Sequence, residues 1–323
     1  MIKPKLFLHI GYAKTATTSL QRTFFNKHND IEFVGNLSPE KEQEWKEFDG
    51  IVKINSNTNG SEFFDDVVNT ESIFFNSILE KYQNIFSEYI KPNKVLVYSL
   101  EDFVTNDRNN FDIGLIADRL RQIFYNRFDV KILISVREQK SILPSYFGTL
   151  YSGSYYEFLE EMLKTPKHRV LASFFYYEVS DYYVKLFGRE NVHILLFEEF
   201  VTDRKSYIKK LSEILGVEKD FSLLQDKDKL NIAPKRNNGE YVVSFQVLAS
   251  SLRQKTFLKH IPMNNLYFRK VALFFTKIKV PFKSLKMTSK QKIEIDELYR
   301  VSNTKLMKRF KLDLKKYGYS IDE

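Results

Sequence analysis

Residues 5–21 read KLFLHIGYAKTATTSLQ, and this run carries the strongest structural signal in the chain. Its apolar first part, Lys5 to Ile10, stops at Gly11 and is typical of a buried strand. The stretch from Thr17 to Asn26 then places apolar side chains at the spacing of a helix face. A strand, a polar loop and a helix in this order put the loop at the carboxyl end of the strand. Open parallel sheets bind their ligands at this place.

The rest of the chain alternates between the same two patterns. Strand patterns cover residues 94–99, 130–136 and 192–197, and helical patterns cover residues 63–90, 111–126, 139–150, 155–163, 172–187 and 207–215. This alternation predicts right-handed crossovers and a parallel central sheet with helices on both faces, a three-layer α/β/α architecture. We expect a single domain over residues 1–323, in which residues 240–323 form a basic, mainly helical C-terminal extension packed on the sheet.

The composition of the chain limits which binding partners and which cellular compartment we expect. The 323 residues carry a net charge of +9, which favours anionic partners, although a scattered, solvated lysine surface would give the same surplus. Cysteine is absent, which excludes disulfides and thiolate chemistry. The N-terminal apolar run is too short for a secretory signal, and no run approaches the roughly 20 residues that span a bilayer. We therefore expect a cytoplasmic protein, soluble or peripheral at the inner membrane face.

The loop between the first strand and the first helix is suited to holding an anion. Backbone N–H groups at a helix start point outward at the positive end of its dipole, and Lys14 adds a mobile charge. Hydroxyl donors come from Thr15, Thr17, Thr18 and Ser19. The loop of the nucleoside triphosphatases is excluded, because that loop needs two glycines and a Gly-Lys-Ser/Thr end. A threonine-rich helix cap with an exposed lysine is the alternative.

Part of this loop resembles a known family. The 5′-phosphosulfate loop of the sulfotransferases has the pattern Lys-[Ser/Thr]-Gly-Thr-Thr before a helix, and the chain has Lys14-Thr15-Ala16-Thr17-Thr18-Ser19-Leu20-Gln21. The flanking His-Ile-Gly and Ser-Leu-Gln are similar to bacterial members in particular. The resemblance implies a fold like that of the P-loop nucleotide kinases, with 3′-phosphoadenosine 5′-phosphosulfate as the sulfuryl donor and adenosine 3′,5′-bisphosphate as the product.

The same resemblance assigns roles within the loop. Residues 14–19 would bind the donor, and Lys14 would also stabilise the transferred group. Ala16 stands where the family has glycine. Because a positive φ would strain an alanine, we expect a negative φ at this position.

A second pair of residues supports the first motif. The third predicted strand ends at Arg137, and Ser145 follows eight residues later in a predicted helix. An arginine at the carboxyl edge of a sheet offers a planar fork suited to a phosphate, and a serine on the next helix can bind the same anion. The pair resembles the 3′-phosphate motif of the sulfotransferases, although Glu138-Gln139 replaces the family's Asn-Pro. An arginine in a surface ion pair beside an ordinary helix serine is the alternative.

The second predicted strand leads into residues 99–102, Ser-Leu-Glu-Asp, whose carboxylates should lie beside the Lys14 loop. Sulfuryl transfer needs positioning, charge stabilisation and a base that takes the acceptor proton. The Ser-x-Glu form resembles bacterial sulfotransferases and implies Glu101 as the general base, with Asp102 as the second choice. Alternatively, Glu101 caps a turn or pairs with Lys14. A histidine placed like His9 is more often a satisfied core residue than a base, and the histidines show no paired metal-ligand spacing, so no metal is expected.

Two later segments are basic. Lys235 and Arg236 lie where the family closes a basic loop over the 3′-phosphate, so the resemblance implies a donor contact, while an exposed basic turn is an equal alternative. From Asn264 to Lys286, apolar residues interleave with six cations and no acid. We favour a helix that packs its phenylalanine face on the core, and the alternative is a segment on an anionic membrane surface.

The resemblance to the sulfotransferases implies sulfuryl transfer to a hydroxyl, or an amine, of an acceptor. Bacterial relatives imply a carbohydrate or glycoconjugate, such as a glycolipid, and no nucleic acid is expected as a partner. Two other functions stay open. One is a nucleotide or sugar kinase with a degenerate phosphate loop, which would need Mg²⁺. The other is a non-catalytic protein that binds an anionic glycan or nucleic acid, which would leave Lys14, Glu101 and Arg137 at three strand ends unexplained.

Overall fold

The computed structural model describes residues 3–34, 60–104, 112–150, 155–165, 168–223 and 287–322. The strands in these ranges are β1 (Lys5–His9), β2 (Ile31–Phe33), β3 (Val95–Ser99), β4 (Asp129–Val136) and β5 (Val192–Leu196). They form one sheet in the order β2-β3-β1-β4-β5, and all neighbouring pairs are parallel.

The α-helices are α1 (Thr17–Ser19), α2 (Gly60–Asn69), α3 (Phe75–Glu88), α4 (Ile113–Phe124), α5 (Gln139–Leu150), α6 (Tyr155–Lys164), α7 (Arg169–Ala172), α8 (Tyr176–Phe187), α9 (Phe197–Thr202), α10 (Arg204–Leu215) and α11 (Ser289–Phe310). Helix α1 continues directly into a π-helical segment, Leu20–Phe25, and a 3-10 turn, Glu101–Val104, follows β3. Within the described ranges, no helix combines the length and the apolar composition needed to cross a bilayer.

Helices cover both faces of the sheet. Leu6 and Leu8 of β1 pack in one core with α2, α3, α4, α8 and α11. Phe7, which points the opposite way, packs in a second core with the π-helical segment and α10. Strands buried on both faces read as nearly continuous apolar runs, as β1 and β4 do. The predicted three-layer α/β/α architecture is confirmed.

The path of the chain reverses at β1, the middle strand. After β1 the chain crosses to the Phe7 face, whereas the helices that follow β3 and β4, namely α4 and α5, pack on the Leu6 face. The connection after β1 runs toward β2 at one edge of the sheet, whereas the connections after β3 and β4 run toward β5 at the other edge. Open α/β sheets bind ligands outside the carboxyl ends of their strands at such a point.

The structure corrects two elements of the sequence interpretation. Strand β2 was missed, because its three residues are too few to establish a strand pattern in the sequence. Its central residue, Glu32, is buried, and it forms ion pairs with Lys91 at 3.0 Å and Lys94 at 3.8 Å. The helix predicted over residues 172–187 begins at Tyr176 instead, and the chain between α7 and α8 is not helical; there the carbonyl oxygen of Ser173 accepts a hydrogen bond from the distant Tyr12.

The C-terminal end is helical, as predicted. Helix α11 begins with a capping box, in which the Thr288 hydroxyl accepts from the Gln291 N–H at 3.1 Å and the Gln291 amide oxygen accepts from the Thr288 N–H at 3.0 Å. Its buried residues join the Leu6 core. The segment from Asn264 to Lys286 lies outside the described residues, and the division near residue 240 stays a prediction.

Candidate functional site

The loop that follows β1, residues 10–16, is called the anion loop below, and it stays attached to β4. The Ser135 N–H donates to the Gly11 carbonyl at 2.7 Å, and the Tyr12 N–H donates to the Ser135 carbonyl at 2.6 Å. The parallel ladder therefore continues past the last residue of β1. Gly11 allows a close approach of two segments here, because a Cβ at this position would lie 2.0 Å from Cγ2 of Val104 in the turn after β3.

Tyr12 ties the anion loop to the start of α8. Its buried ring stacks on Phe174 with ring centroids 5.6 Å apart and meets Tyr176 edge-on at 4.9 Å. Its hydroxyl donates to the Ser173 carbonyl. Within the loop, the hydroxyl of Thr15 donates its single hydrogen back to the Tyr12 carbonyl at 2.5 Å. In this conformation Thr15 stabilises the loop itself, and its predicted donation to an anion stays a prediction.

The backbone of the anion loop is partly left-handed. Ala16, the N-cap of α1, has φ 67° and ψ 20°, and Lys14 has φ 70°. The expectation of a negative φ at Ala16 is therefore wrong, because the chain turns from the loop into the helix through a left-handed residue at this position. In this conformation the Cβ of alanine lies close to the backbone, which raises the free energy of the folded state. Left-handed residues in such loops help successive N–H groups to converge into an anion-binding concavity.

Glu101 lies against the start of α1. It is the first residue of the turn after β3, it is half-buried, and one of its carboxylate oxygens accepts a hydrogen bond from the Thr17 hydroxyl. The preceding N–H, of Leu100, donates to the carbonyl of His9 at 2.8 Å. The predicted proximity of Glu101 to the loop is therefore present, and its role as a base stays a prediction. Asp102, the second choice, follows it in the same turn and is exposed.

Arg137 reaches the anion loop from the end of β4. Its Nη1 donates to the Lys14 carbonyl at 3.2 Å and its Nε donates to the Ser141 hydroxyl at 3.0 Å. The guanidinium also lies over the ring of Phe197, 4.4 Å from the centroid. Sequence reasoning missed both Ser141 and Phe197. Ser141 could have been found from its position four residues after Arg137. Phe197 could have been found from its position directly after β5.

Ser145 lies one helical turn after Ser141 on α5 and is half-buried. Residues four apart occupy the same face of a helix. The face of α5 that carries Ser145 is thus the face that contacts Arg137. The predicted pairing of these two residues at one phosphate is compatible with this arrangement and stays a prediction.

Two carboxylates lie behind Arg137, the buried Glu138 and the half-buried Glu198. The Glu138 N–H donates to a Glu198 oxygen at 2.9 Å, and the other Glu198 oxygen accepts from the Tyr319 hydroxyl at 3.1 Å. Burial raises the pKa of Glu138 to about 7, although Lys140 lies 3.6 Å away. Burial also raises the pKa of Glu198, against the hydrogen bonds it accepts and the charge of Arg137. These acids connect the C-terminal residues to the end of β4.

His9 is buried at the end of β1, and both its ring nitrogens are occupied. Nδ1 lies 2.7 Å from the Ser99 hydroxyl and Nε2 lies 2.8 Å from the Ser135 hydroxyl. Burial lowers the pKa of His9 to about 3, so the ring is neutral at physiological pH. This arrangement is the satisfied core histidine that the sequence favoured over a base.

The predicted contacts of Lys235 and Arg236 lie outside the residues that the structure describes. Within those residues, no three His, Asp or Glu side chains are grouped as metal ligands would be. The loop residues, Glu101 and Arg137 are brought together by the ends of β1, β3 and β4.

Comparisons with known proteins give the following. No family model matches the chain, and no curated protein matches it in sequence. Several solved structures match it at low similarity. The sulfotransferase from Alicyclobacillus acidocaldarius is 19% identical, with a TM-score of 0.44 over 83% of this chain and 100% of that chain. The sulfotransferase domain from the curacin biosynthetic pathway is 15% identical, with a TM-score of 0.39 over 92% and 98%. A mouse sulfotransferase complexed with PAP is 16% identical, with a TM-score of 0.43 over 98% and 89%. These values are too low to assign this chain to a family or an activity.

Proposed function

We propose that this protein is a sulfotransferase that moves a sulfuryl group from 3′-phosphoadenosine 5′-phosphosulfate to a hydroxyl, or an amine, of an acceptor. One observation carries the proposal. Three residues that the sequence selected, Lys14, Glu101 and Arg137, follow three different parallel strands at one edge of the sheet. Arg137 donates to the carbonyl of Lys14, and Thr17, in the first turn of α1, donates to Glu101. Their position at a topological switch point, where open α/β sheets bind ligands, supports the proposal.

The donor would lie along the anion loop. Left-handed backbone at Lys14 and Ala16 favours a concavity of N–H groups for the 5′-phosphosulfate, with the Lys14 ammonium as an added charge. The guanidinium of Arg137 lies over the ring of Phe197 and is suited to the 3′-phosphate, with Ser145 on the adjacent helix face. Lys235 and Arg236 remain proposed contacts to the same phosphate.

The transfer itself would be an in-line displacement. The acceptor oxygen or nitrogen attacks the sulfur atom, the bond from sulfur to the bridging phosphate oxygen breaks, and adenosine 3′,5′-bisphosphate leaves. Glu101 would take the proton of the acceptor, and Lys14 would neutralise the charge that develops on the transferred group and the leaving oxygen. A hydrogen bond from Thr17 holds the Glu101 carboxylate at the loop before any acceptor is present.

The acceptor we propose is a carbohydrate or glycoconjugate, with no nucleic acid partner. The net charge of +9 suits an acidic glycan or a glycolipid at an anionic membrane surface. The proposed location is the cytoplasm, with peripheral contact at the inner membrane face. Residues 264–286 would supply this contact if they are not packed on the core.

A comparison of two nucleotides tests the proposal. Adenosine 3′,5′-bisphosphate should raise the thermal midpoint of unfolding in the presence of EDTA, by the equivalent of about 2.7 kcal/mol at a concentration 100 times its Kd. Adenosine 5′-monophosphate, which lacks the 3′-phosphate, should give a much smaller shift. Transfer of ³⁵S from labelled donor to a mixture of glycans, also in EDTA, would then identify the acceptor.

Other results of these measurements would contradict the proposal. Stabilisation by ATP that requires Mg²⁺ would indicate the kinase alternative. Equal shifts with both adenosine nucleotides would show that the protein makes no favourable contact with the 3′-phosphate. No shift with any nucleotide, together with binding of an anionic glycan, would indicate the non-catalytic alternative.

A further inference from the structure

A chain of buried, uncharged side chains crosses the sheet directly beneath the strand ends. Its centre is His9, which contacts Ser99 on one side and Ser135 on the other, at 2.7 and 2.8 Å. It continues at one end to Gln21, whose amide donates to the Ser99 hydroxyl at 2.9 Å. At the other end Tyr207 forms a side-chain hydrogen bond with Ser135. All five side chains are buried, and they are called the polar chain below.

The position of the polar chain relates it to the candidate site. His9 is the last residue of β1, Ser99 is the last residue of β3, and Ser135 is the last but one of β4. Ser99 precedes Glu101 by two residues, and Ser135 precedes Arg137 by two residues. His9 itself leads into the anion loop. The His9 imidazole therefore connects the carboxyl ends of β1, β3 and β4, which lie just before the anion loop, Glu101 and Arg137, respectively.

The chemistry of the imidazole defines the connection. A neutral ring has one N–H donor and one bare nitrogen acceptor, so it donates to one serine and accepts from the other. Burial keeps His9 neutral, and no member of the polar chain carries a charge that would compensate an imidazolium. Apolar side chains would fill the same part of the core without needing any hydrogen-bond partners, so the polar chain is not required for packing alone. Fully paired buried networks of this kind select one arrangement of the elements that they join.

We propose that His9 is a positioning residue, which holds the ends of β3, β1 and β4 at a fixed spacing and thereby sets the relative positions of Glu101, the anion loop and Arg137. The consequence for transfer rests on the proposed function, whereas the consequence for the three strand ends does not. The main-chain bond from the Leu100 N–H to the His9 carbonyl, at 2.8 Å, supports the same spacing from the backbone side.

Hydrogen exchange of backbone amides tests the structural part without any ligand. His9→Phe keeps a ring in the core and removes both nitrogens. Amides in residues 10–18, 99–104 and 135–141 should then exchange about tenfold faster, with little change in α3 or α11. Ser99→Ala should accelerate exchange mainly in residues 99–104, and Ser135→Ala mainly in residues 135–141. If His9→Phe does not fold, the two serine variants decide the question alone.

A matched control and a rescue separate positioning from general stability. Ser180→Ala, at a buried serine of α8, should leave exchange in the three segments unchanged. His9→Asn places its amide near the position of Nδ1, so it should restore protection in residues 99–104 only. His9→Gln places its amide near the position of Nε2 and should restore residues 135–141 only. Uniform acceleration across the whole protein in every variant, or no acceleration in the three segments, would overturn the proposal.

Kinetics provide the second readout. In Ser99→Ala and Ser135→Ala, kcat for sulfuryl transfer should fall about 10–100-fold, because small displacements of reacting groups are costly in rate. The KM for the donor should change less than about threefold, since charge contacts tolerate such displacements better. Normal kcat in both variants would contradict positioning. A wild-type protein that neither transfers sulfuryl groups nor binds the bisphosphate would refute the proposed function, while the exchange experiment would still decide the role of His9.

Discussion

The guanidinium of Arg137 and the main-chain carbonyl of Lys14 are joined by a hydrogen bond of 3.2 Å. The bond links the end of β4 to the anion loop. The side chain proposed to bind the 3′-phosphate therefore contacts the backbone proposed to bind the 5′-phosphosulfate. Because Phe197 lies on one face of the guanidinium and Ser141 on its Nε edge, the orientation of the fork is restricted before a ligand arrives. Preorganised donors of this kind lose little entropy on binding.

Arg137→Ala should therefore weaken binding of adenosine 3′,5′-bisphosphate much more than binding of adenosine 5′-monophosphate. Loss of a charge-assisted contact costs about 1.5–3 kcal/mol, or roughly 10- to 150-fold in Kd. Titration calorimetry measures both ligands. Arg189→Ala is the matched control, since this guanidinium also stacks on a phenylalanine, Phe310, at 4.2 Å, and it should change neither affinity. Equal losses for both ligands in Arg137→Ala would place the arginine away from the 3′-phosphate.

Glu101→Gln should separate binding from chemistry. The amide oxygen can still accept from Thr17, but the side chain no longer takes a proton. Turnover should fall by roughly 10²–10⁴, while affinity for the bisphosphate stays within about twofold. The companion variant is Asp102→Asn, which should retain most of the turnover. The opposite result, with Asp102→Asn inactive and Glu101→Gln active, would move the base to Asp102.

Ala16→Gly should stabilise the protein. Glycine adopts φ 67° without the Cβ contact that costs about 1–2 kcal/mol, although it also raises the entropy of the unfolded chain by the equivalent of about 0.4–1 kcal/mol. A net gain of about 0.5–1 kcal/mol in the free energy of unfolding should appear as a higher urea midpoint. Ala13→Gly, in the same loop but without a positive φ, should lose stability instead. A loss in both variants would show that Ala16 is not strained.

The stability of the protein should depend on the protonation of Glu138. Its folded pKa of about 7 lies above its ordinary value of 4.5, so the folded state binds the proton more tightly than the unfolded chain does. The free energy of unfolding should therefore fall as pH rises from about 4.5 to 7, by up to about 3 kcal/mol from this group. Glu138→Gln mimics the neutral acid, and its unfolding should lose this part of the pH dependence in urea titrations at several pH values. Glu213→Gln, at an exposed ion pair with Lys219, should leave the slope as in the wild type.

The sequence predicted the sheet and the segments that end at its carboxyl edge, because apolar strands and helix periodicity are local patterns. It could not predict that β2 exists, since the buried Glu32 is paired with Lys91 and Lys94, which are distant in the sequence. It also placed Ala16 in the wrong backbone region, because that prediction relied on the preference of alanine for a negative φ and not on the turn that the chain must make at this position. The partners of Arg137 depend on how α5 and β5 pack, and this packing is not a local property of the sequence.

The pairs that define the site are far apart along the chain. Arg137 and Lys14 are separated by 123 residues, and Thr17 and Glu101 by 84. During synthesis the anion loop leaves the ribosome well before the ends of β3 and β4 that complete it. A nascent chain that stops before β4 carries the loop without the arginine that bonds to it. Affinity for the donor should therefore arise in one step, when β4 joins β1, so nucleotide binding by arrested chains of increasing length would report the moment at which the central strands assemble.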